Sequence, residues 1–215
     1  MKGLLVKEKY SICNTCKLFF IVPLAFYAVM IIGTVLKGQK LAGFPVGMIF
    51  MMMGLMPASI INQEVQSKWH IGVLTMPYTR NQIVSSKYIM ALIITFITLI
   101  VTGDVMISCL LISGQMDSEN VLNAVKMLFG GIGMGLMPSI IFMPVNFKFY
   151  NTVGGLRVLI GALLGGFMGG SNMMIMDSVQ DGGIFGGGFV FMCLSIVLFL
   201  ISWGVSILLF RKKDA

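Results

Sequence analysis

Apolar residues in this chain gather into six long runs, 18–36, 41–61, 88–113, 127–145, 158–176 and 184–210, separated by short polar connections. Crossing about 30 Å of hydrocarbon as a helix takes roughly 20 residues. Each run meets or nears that length, so the pattern predicts an all-α, polytopic membrane protein with six transmembrane helices. Ahead of the first run, residues 1–17 set Leu4, Leu5, Val6, Tyr10 and Ile12 among lysines. That mixture predicts an N-terminal amphipathic helix lying in the interface, with its charged side toward anionic headgroups. The whole of 1–215 then reads as one transmembrane domain.

Composition sharpens the picture. Hydrophobic residues make up 57% of the 215 and charged residues only 11%, and the mean hydropathy is +0.95. A soluble domain of this size cannot hide that much apolar surface, so lipid is the main solvent. No remaining segment can house a soluble catalytic domain. Energy for any transport would come from another chain or from a gradient. The first run is too long for a signal-peptide core and no small-x-small cleavage site follows it, so it is expected to be retained.

The net charge of +7 changes the picture only through its placement. Lys2, Lys7, Lys9 and Lys17 precede the first run; Lys68, Arg80 and Lys87 lie in 62–87; Lys148 and Arg157 lie in 146–157; Arg211, Lys212 and Lys213 close the chain. These alternate segments hold 12 of the 15 basic residues, leaving Lys37, Lys40 and Lys126 to the others. The positive-inside rule therefore puts both termini and the two basic loops in the cytoplasm. Charge of this kind sets topology, and no nucleic-acid partner is expected.

Catalytic chemistry is scarce. The sole histidine is His70, and no H-E-x-x-H pair exists for a zinc hydrolase. Cys13-Asn14-Thr15-Cys16 is a lone C-x-x-C on the reducing side, without a second pair or a nearby histidine, so neither metal nor redox work is expected of it. Gly33-x4-Gly38-Gln39-Lys40 has Gln where a phosphate loop needs Lys, so no Walker site is present. Asp104 is the one acid within an apolar run. Intramembrane acids are candidates for proton relays. Counting from Tyr88 at about 1.5 Å per residue puts Asp104 about 24 Å along the span, near the outer edge of the core, where it can reach headgroups.

Gly131-x3-Gly135 and Gly161-x3-Gly165-x3-Gly169 set small residues on one helix stripe, which permits close helix approach. Such packing falls within one subunit or between two. Pro138 and Pro144 each remove a backbone donor from the fourth run. The twenty methionines suit generic apolar packing or an adaptable cavity for amphipathic cargo.

The polar segment 62–87 carries the densest order in the chain. Trp69 offers a large anchor with one donor, Glu64, Lys68 and Arg80 can orient a partner through charge pairs, and Pro77 turns the chain back toward the membrane. Spacing alone fits two readings, a docking element or a juxtamembrane loop whose Trp, Lys and Arg anchor helix ends.

The run Glu64…Lys68-Trp69…Leu74-Thr75-Met76-Pro77…Arg80…Ile83-Val84…Lys87-Tyr88 resembles the first cytoplasmic loop of small bacterial ABC type-2 transporter permeases. Pro144-Val145-Asn146-Phe147-Lys148-Phe149-Tyr150 resembles the P-x-x-F-K-F element of their second basic loop. The resemblance covers essentially the whole chain. In size and layout the chain is similar to the permeases of peptide exporters, the phenol-soluble modulin transporter among them. The resemblance implies a dimer of six-span subunits, homo- or heteromeric, above two cytoplasmic ATPase subunits that bind the ATP and magnesium. No cofactor is then expected on this chain, which would not itself be an enzyme. The 62–87 segment would be the coupling helix, with Glu64, Lys68, Trp69, Leu74, Pro77 and Arg80 its contact residues. Amphipathic or hydrophobic cargo, cytolytic or antimicrobial peptides included, would leave through the bacterial cytoplasmic membrane. The competing expectation is a stand-alone gradient-driven carrier or channel, in which Asp104 would matter.

Overall fold

A computed structural model describes residues 2–15, 17–37, 46–66, 79–114, 116–148 and 187–211. Every described element is a helix: α1 Lys2–Thr15, α2 Lys17–Lys37, α3 Val46–Gln66, α4 Arg80–Ser113, α5 Ser118–Lys148 and α6 Gly187–Arg211. Three are long and apolar enough to cross a membrane, namely Arg80–Ser113, Ser118–Lys148 and Gly187–Phe210. The apolar parts of α2 and α3, Phe20–Val35 and Val46–Ile61, are shorter. The expected fifth span, 158–176, and its glycine stripe lie outside the described residues.

The ends of α4 are set by local chemistry. Thr79 is extended (φ −74°, ψ 148°), and its carbonyl accepts the N–H groups of Gln82 at 2.9 Å and Ile83 at 3.2 Å. The Gln82 side chain returns to accept the Thr79 N–H at 3.2 Å, so donors that a helix start leaves open are used. At the other end Gly114 takes φ 65°, the left-handed conformation that glycine adopts without a Cβ clash, and its N–H donates to the Leu111 carbonyl at 3.3 Å.

Two apolar clusters stack along the bundle. One holds Tyr27, Met30, Val46, Phe50, Met106, Leu110 and Met127; the other holds Ile61, Val84, Tyr88, Met143, Phe147, Phe199 and Phe210. Together they fix helix directions. The Tyr27 hydroxyl lies 2.8 Å from that of Thr102, and the Thr34 hydroxyl 3.8 Å from the Cys109 sulfur. Both pairs advance by seven residues, so α2 and α4 run parallel. Helices α3 and α5 run opposite to them. Phe129 packs edge-on against Phe189 at one end, and Phe147 against Phe210 at the other, so α5 and α6 are parallel to each other.

Glycine lets α3 and α5 touch. A Cβ on Gly54 would fall on the carbonyl oxygen of Gly135, and one on Gly131 would meet the Phe50 ring at 2.7 Å. The Gly131-x3-Gly135 stripe therefore packs inside the chain, against Phe50 and Gly54 of α3. Pro138 and Pro144 both lie within the continuous helix α5. Pro144 leaves the carbonyl of Ile140 without its helical partner, and the Ser202 hydroxyl of α6 donates to that oxygen at 2.8 Å.

Outward faces are apolar. On α4, Leu92, Ile93, Phe96, Ile97, Ile100, Val101, Ile107, Leu111 and Ile112 are all exposed and recur at helical spacing. Such a stripe is stable only against lipid or another apolar surface.

Candidate functional site

The segment singled out in the sequence is framed by structure on both sides. Helix α3 continues to Gln66 and α4 begins at Arg80, so 62–66 and 80–87 are helical extensions of the flanking elements rather than loop. Lys68, Trp69, Leu74 and Pro77 lie outside the described residues. What the structure shows is the end of the bundle where α3 stops and α4 starts.

Four charges meet there. The Lys87 ammonium of α4 is 2.6 Å from Glu8 Oε1 of α1 and 2.7 Å from Glu64 Oε2 of α3. Lys7 of α1 pairs with Glu64 and lies 3.3 Å from Glu8 Oε1. Two lysines and two glutamates cancel, which is the condition for keeping charge out of water. Side-chain exposure is 3% for Lys87 and 2% for Glu8, so neither has solvent to fall back on. Burial, followed by the neighbouring Lys87 charge, holds Lys7 below the usual lysine range, against the opposite pull of Glu8. The second Glu8 oxygen has no hydrogen-bond partner among the described residues.

This cluster departs from the simple amphipathic expectation for α1. Leu4, Glu8 and Ile12 form its buried side, while Val6 and Tyr10 are exposed. Glu8 is turned inward because Lys87 and Lys7 neutralise it there. Sequence reasoning counted Lys7 and Lys87 for topology and passed over Glu8. The available signal was an acid set between two lysines at 7 and 9.

Arg80 sits on the other flank. Its guanidinium donates to the Phe210 carbonyl at 3.3 Å and lies 5.9 Å from the centre of that ring. A cation here meets the negative end of α6, whose last carbonyls lack helical donors. Phe210 packs edge-on with Phe147 at 5.5 Å, which brings the Pro144–Lys148 part of the second motif to the same end. Next to Lys87, the Tyr88 hydroxyl lies 2.9 Å from Ser202 Oγ and 2.7 Å from Ser206 Oγ. Its ring stacks on Trp203 at 5.7 Å, and the Trp203 indole N–H donates to Ser85 at 3.2 Å. The described flanks of both motif-bearing segments, 62–66 with 80–88 and 144–148, thus meet α1 and the Phe210 end of α6 at one end of the bundle. Of the sequence-predicted residues, Glu64 and Arg80 arrive there with different partners.

Asp104 is elsewhere. It is exposed on the apolar stripe of α4, and its own carbonyl accepts the Ser108 hydroxyl at 2.7 Å. Seventeen residues separate it from Lys87, about 26 Å along the helix, so the two charges form no relay. Among the described residues, no group of three or more His, Cys, Asp or Glu side chains could hold a metal ion.

The family model of the ABC-2 family transporter protein matches residues 3–211. The chain belongs to that family, and it is a membrane-embedded permease of an ABC transporter, a transport component. Permeases of this family generally work with an ATPase subunit. No curated protein and no solved structure matches the chain.

Proposed function

We propose that this chain is the membrane subunit of an ATP-driven exporter for amphipathic or hydrophobic cargo, with ATP and magnesium held by separate cytoplasmic subunits. The observation that carries the proposal is convergence. The described flanks of the two segments resembling the family's cytoplasmic elements lie at one end of the bundle, on a base locked by buried charge. On this reading Lys68, Trp69, Leu74 and Pro77 form the docking surface for the ATPase. Arg80 ties that surface to the end of α6, and Glu64 ties it to α1 and α4. Through those pairs Glu64 would carry force from the docking surface into α1 and α4.

Topology supports the same reading. Helices α5 and α6 are parallel, with the expected span 158–176 between them in sequence, as an additional crossing requires. The reading proposed is six spans with both termini in the cytoplasm, and the basic segments placed on the inner side support it. ATP binding would draw two ATPases together beneath a permease dimer and tilt the bundles, through differential affinity for two states. Peptide export of the phenol-soluble modulin type is the cargo class proposed, on the sequence resemblance.

The test is a detergent pull-down from native membranes with the tagged chain, wild type beside Trp69→Ala. Recovery of a soluble ATPase with wild type, reduced by the substitution, is the expected result. A stable chain that recovers no ATPase in either form would overturn the proposal in favour of a gradient-driven carrier.

A further inference from the structure

We infer that a groove between α1, α2, α3 and α4 binds one anionic phospholipid, with an acyl chain in the groove and the phosphate at Lys9. The groove has a volume of about 580 Å³, inside the range of roughly 300–1,000 Å³ typical of small-molecule sites. Its walls include Leu5 and Ile12 of α1, Phe20 of α2, Met53 of α3, and Ile93 and Ile97 of α4. Phe20, Ile93 and Ile97 are exposed, so the groove opens sideways onto the bilayer and not into an aqueous vestibule.

Only two of its described lining residues are polar, Lys9 and Thr98. Thr98 donates its hydroxyl proton to the Ile94 carbonyl at 2.8 Å, so it asks nothing of an occupant. Lys9 is different. It is exposed, and it makes no ion pair among the described residues, whereas the neighbouring Lys7 is held by glutamates. Glu8 pairs with Lys87, which sets Lys9 at the Lys87 end of the groove. From there the wall runs along α4 from Met90 to Thr98, about 12 Å of helix. A free cation at one end and an apolar slot running away from it match a phosphate above an acyl chain. A cationic amphipathic peptide would bring its own charge against Lys9, so the groove suits a lipid better than such cargo. On the orientation proposed above, the lipid belongs to the inner leaflet.

The test uses the full-length chain, delipidated in neutral detergent. It is titrated with an equal mixture of phosphatidylglycerol and phosphatidylcholine of matched chains, and bound lipid is read by native mass spectrometry. Wild type is expected to retain phosphatidylglycerol over phosphatidylcholine by about five-fold, the factor one lysine supplies near anionic headgroups. Lys9→Gln should bring that ratio close to unity while leaving phosphatidylcholine binding unchanged. Ile97→Trp, which fills the slot, should lower binding of both. No preference in wild type, or a preference untouched by Lys9→Gln, would overturn the inference. So would displacement of the lipid by an equimolar uncharged apolar peptide, which would assign the groove to cargo. Thermal unfolding of each variant, expected at the wild-type midpoint because both positions are exposed, separates lost binding from lost fold. The measurement involves no ATPase, so its failure and that of the exporter reading are distinguishable.

Discussion

Replacing Lys87 with methionine removes the cation shared by two buried carboxylates while keeping most of the side-chain volume. At an effective dielectric of about 20, a charge pair at the observed 2.6 Å or 2.7 Å is worth about 6 kcal/mol before desolvation. Each ion gives up several kcal/mol of hydration on burial, so the intact cluster contributes little net stability. The broken cluster is another matter. Glu8 and Glu64 would lose the cation they share, and breaking a buried pair in this way costs about 3–5 kcal/mol. For a chain of this size that lowers the thermal midpoint by roughly 6–20 °C. The assay is unfolding of the detergent-purified chain followed by tryptophan fluorescence, with Trp203, stacked on the adjacent Tyr88, as a local reporter. The companion is Glu8→Gln/Lys87→Met, which restores neutrality with Lys7 and Glu64. It should be more stable than the sum of its single substitutions by about 1–3 kcal/mol. A Lys87→Met midpoint within 2 °C of wild type, or strict additivity, would refute the buried-cluster reasoning.

Other substitutions probe separate parts of the bundle. Tyr88→Phe removes the hydroxyl between Ser202 and Ser206 and should cost about 1–2 kcal/mol by the same fluorescence assay. Gly54→Val places a side chain on the Gly135 carbonyl and should abolish recovery of monodisperse protein in size-exclusion chromatography. Gly204→Ala, with open space around it, should be neutral or stabilising by up to about 1 kcal/mol. Asp104→Asn should leave cargo transport in reconstituted vesicles within two-fold of wild type, since the residue lies on the exposed face away from the charge cluster. Loss of transport would point to a proton-driven carrier.

Helix class was legible because apolar runs of this length admit few other solutions. Helix ends were less so. The polar stretch 80–87 interrupts the apolar window, yet it is helical, because backbone hydrogen bonds and packing of Ile83, Val84 and Lys87 decide the matter rather than hydropathy. The same holds for 118–126 at the start of α5. The small stripe at Gly131 and Gly135 was visible as a stripe, but not its partner, since a face does not name what covers it. The charge cluster was hidden for a related reason. Positions 8, 64 and 87 are far apart in sequence, and a lysine counted toward topology looks the same whether it ends in water or against a carboxylate. Arg80 stood out in the polar segment and again in the resemblance, but its seat on Phe210 depends on where α6 ends, which no local pattern discloses.

Pro144 has a mechanical consequence. The carbonyl it strands at Ile140 is held by Ser202, and Ser202 also meets Tyr88, so three helices share one knot. Pulling α6 away from α5 would leave a bare oxygen in hydrocarbon, which makes the pair act as a splinted beam. The Phe147 end of α5 and the Phe210 end of α6 then travel together, with Arg80 riding on them. On the coupling proposed above, a push arriving at Arg80 would be delivered to two helices at once, with α1 and α3 following through the salt bridges of Lys87.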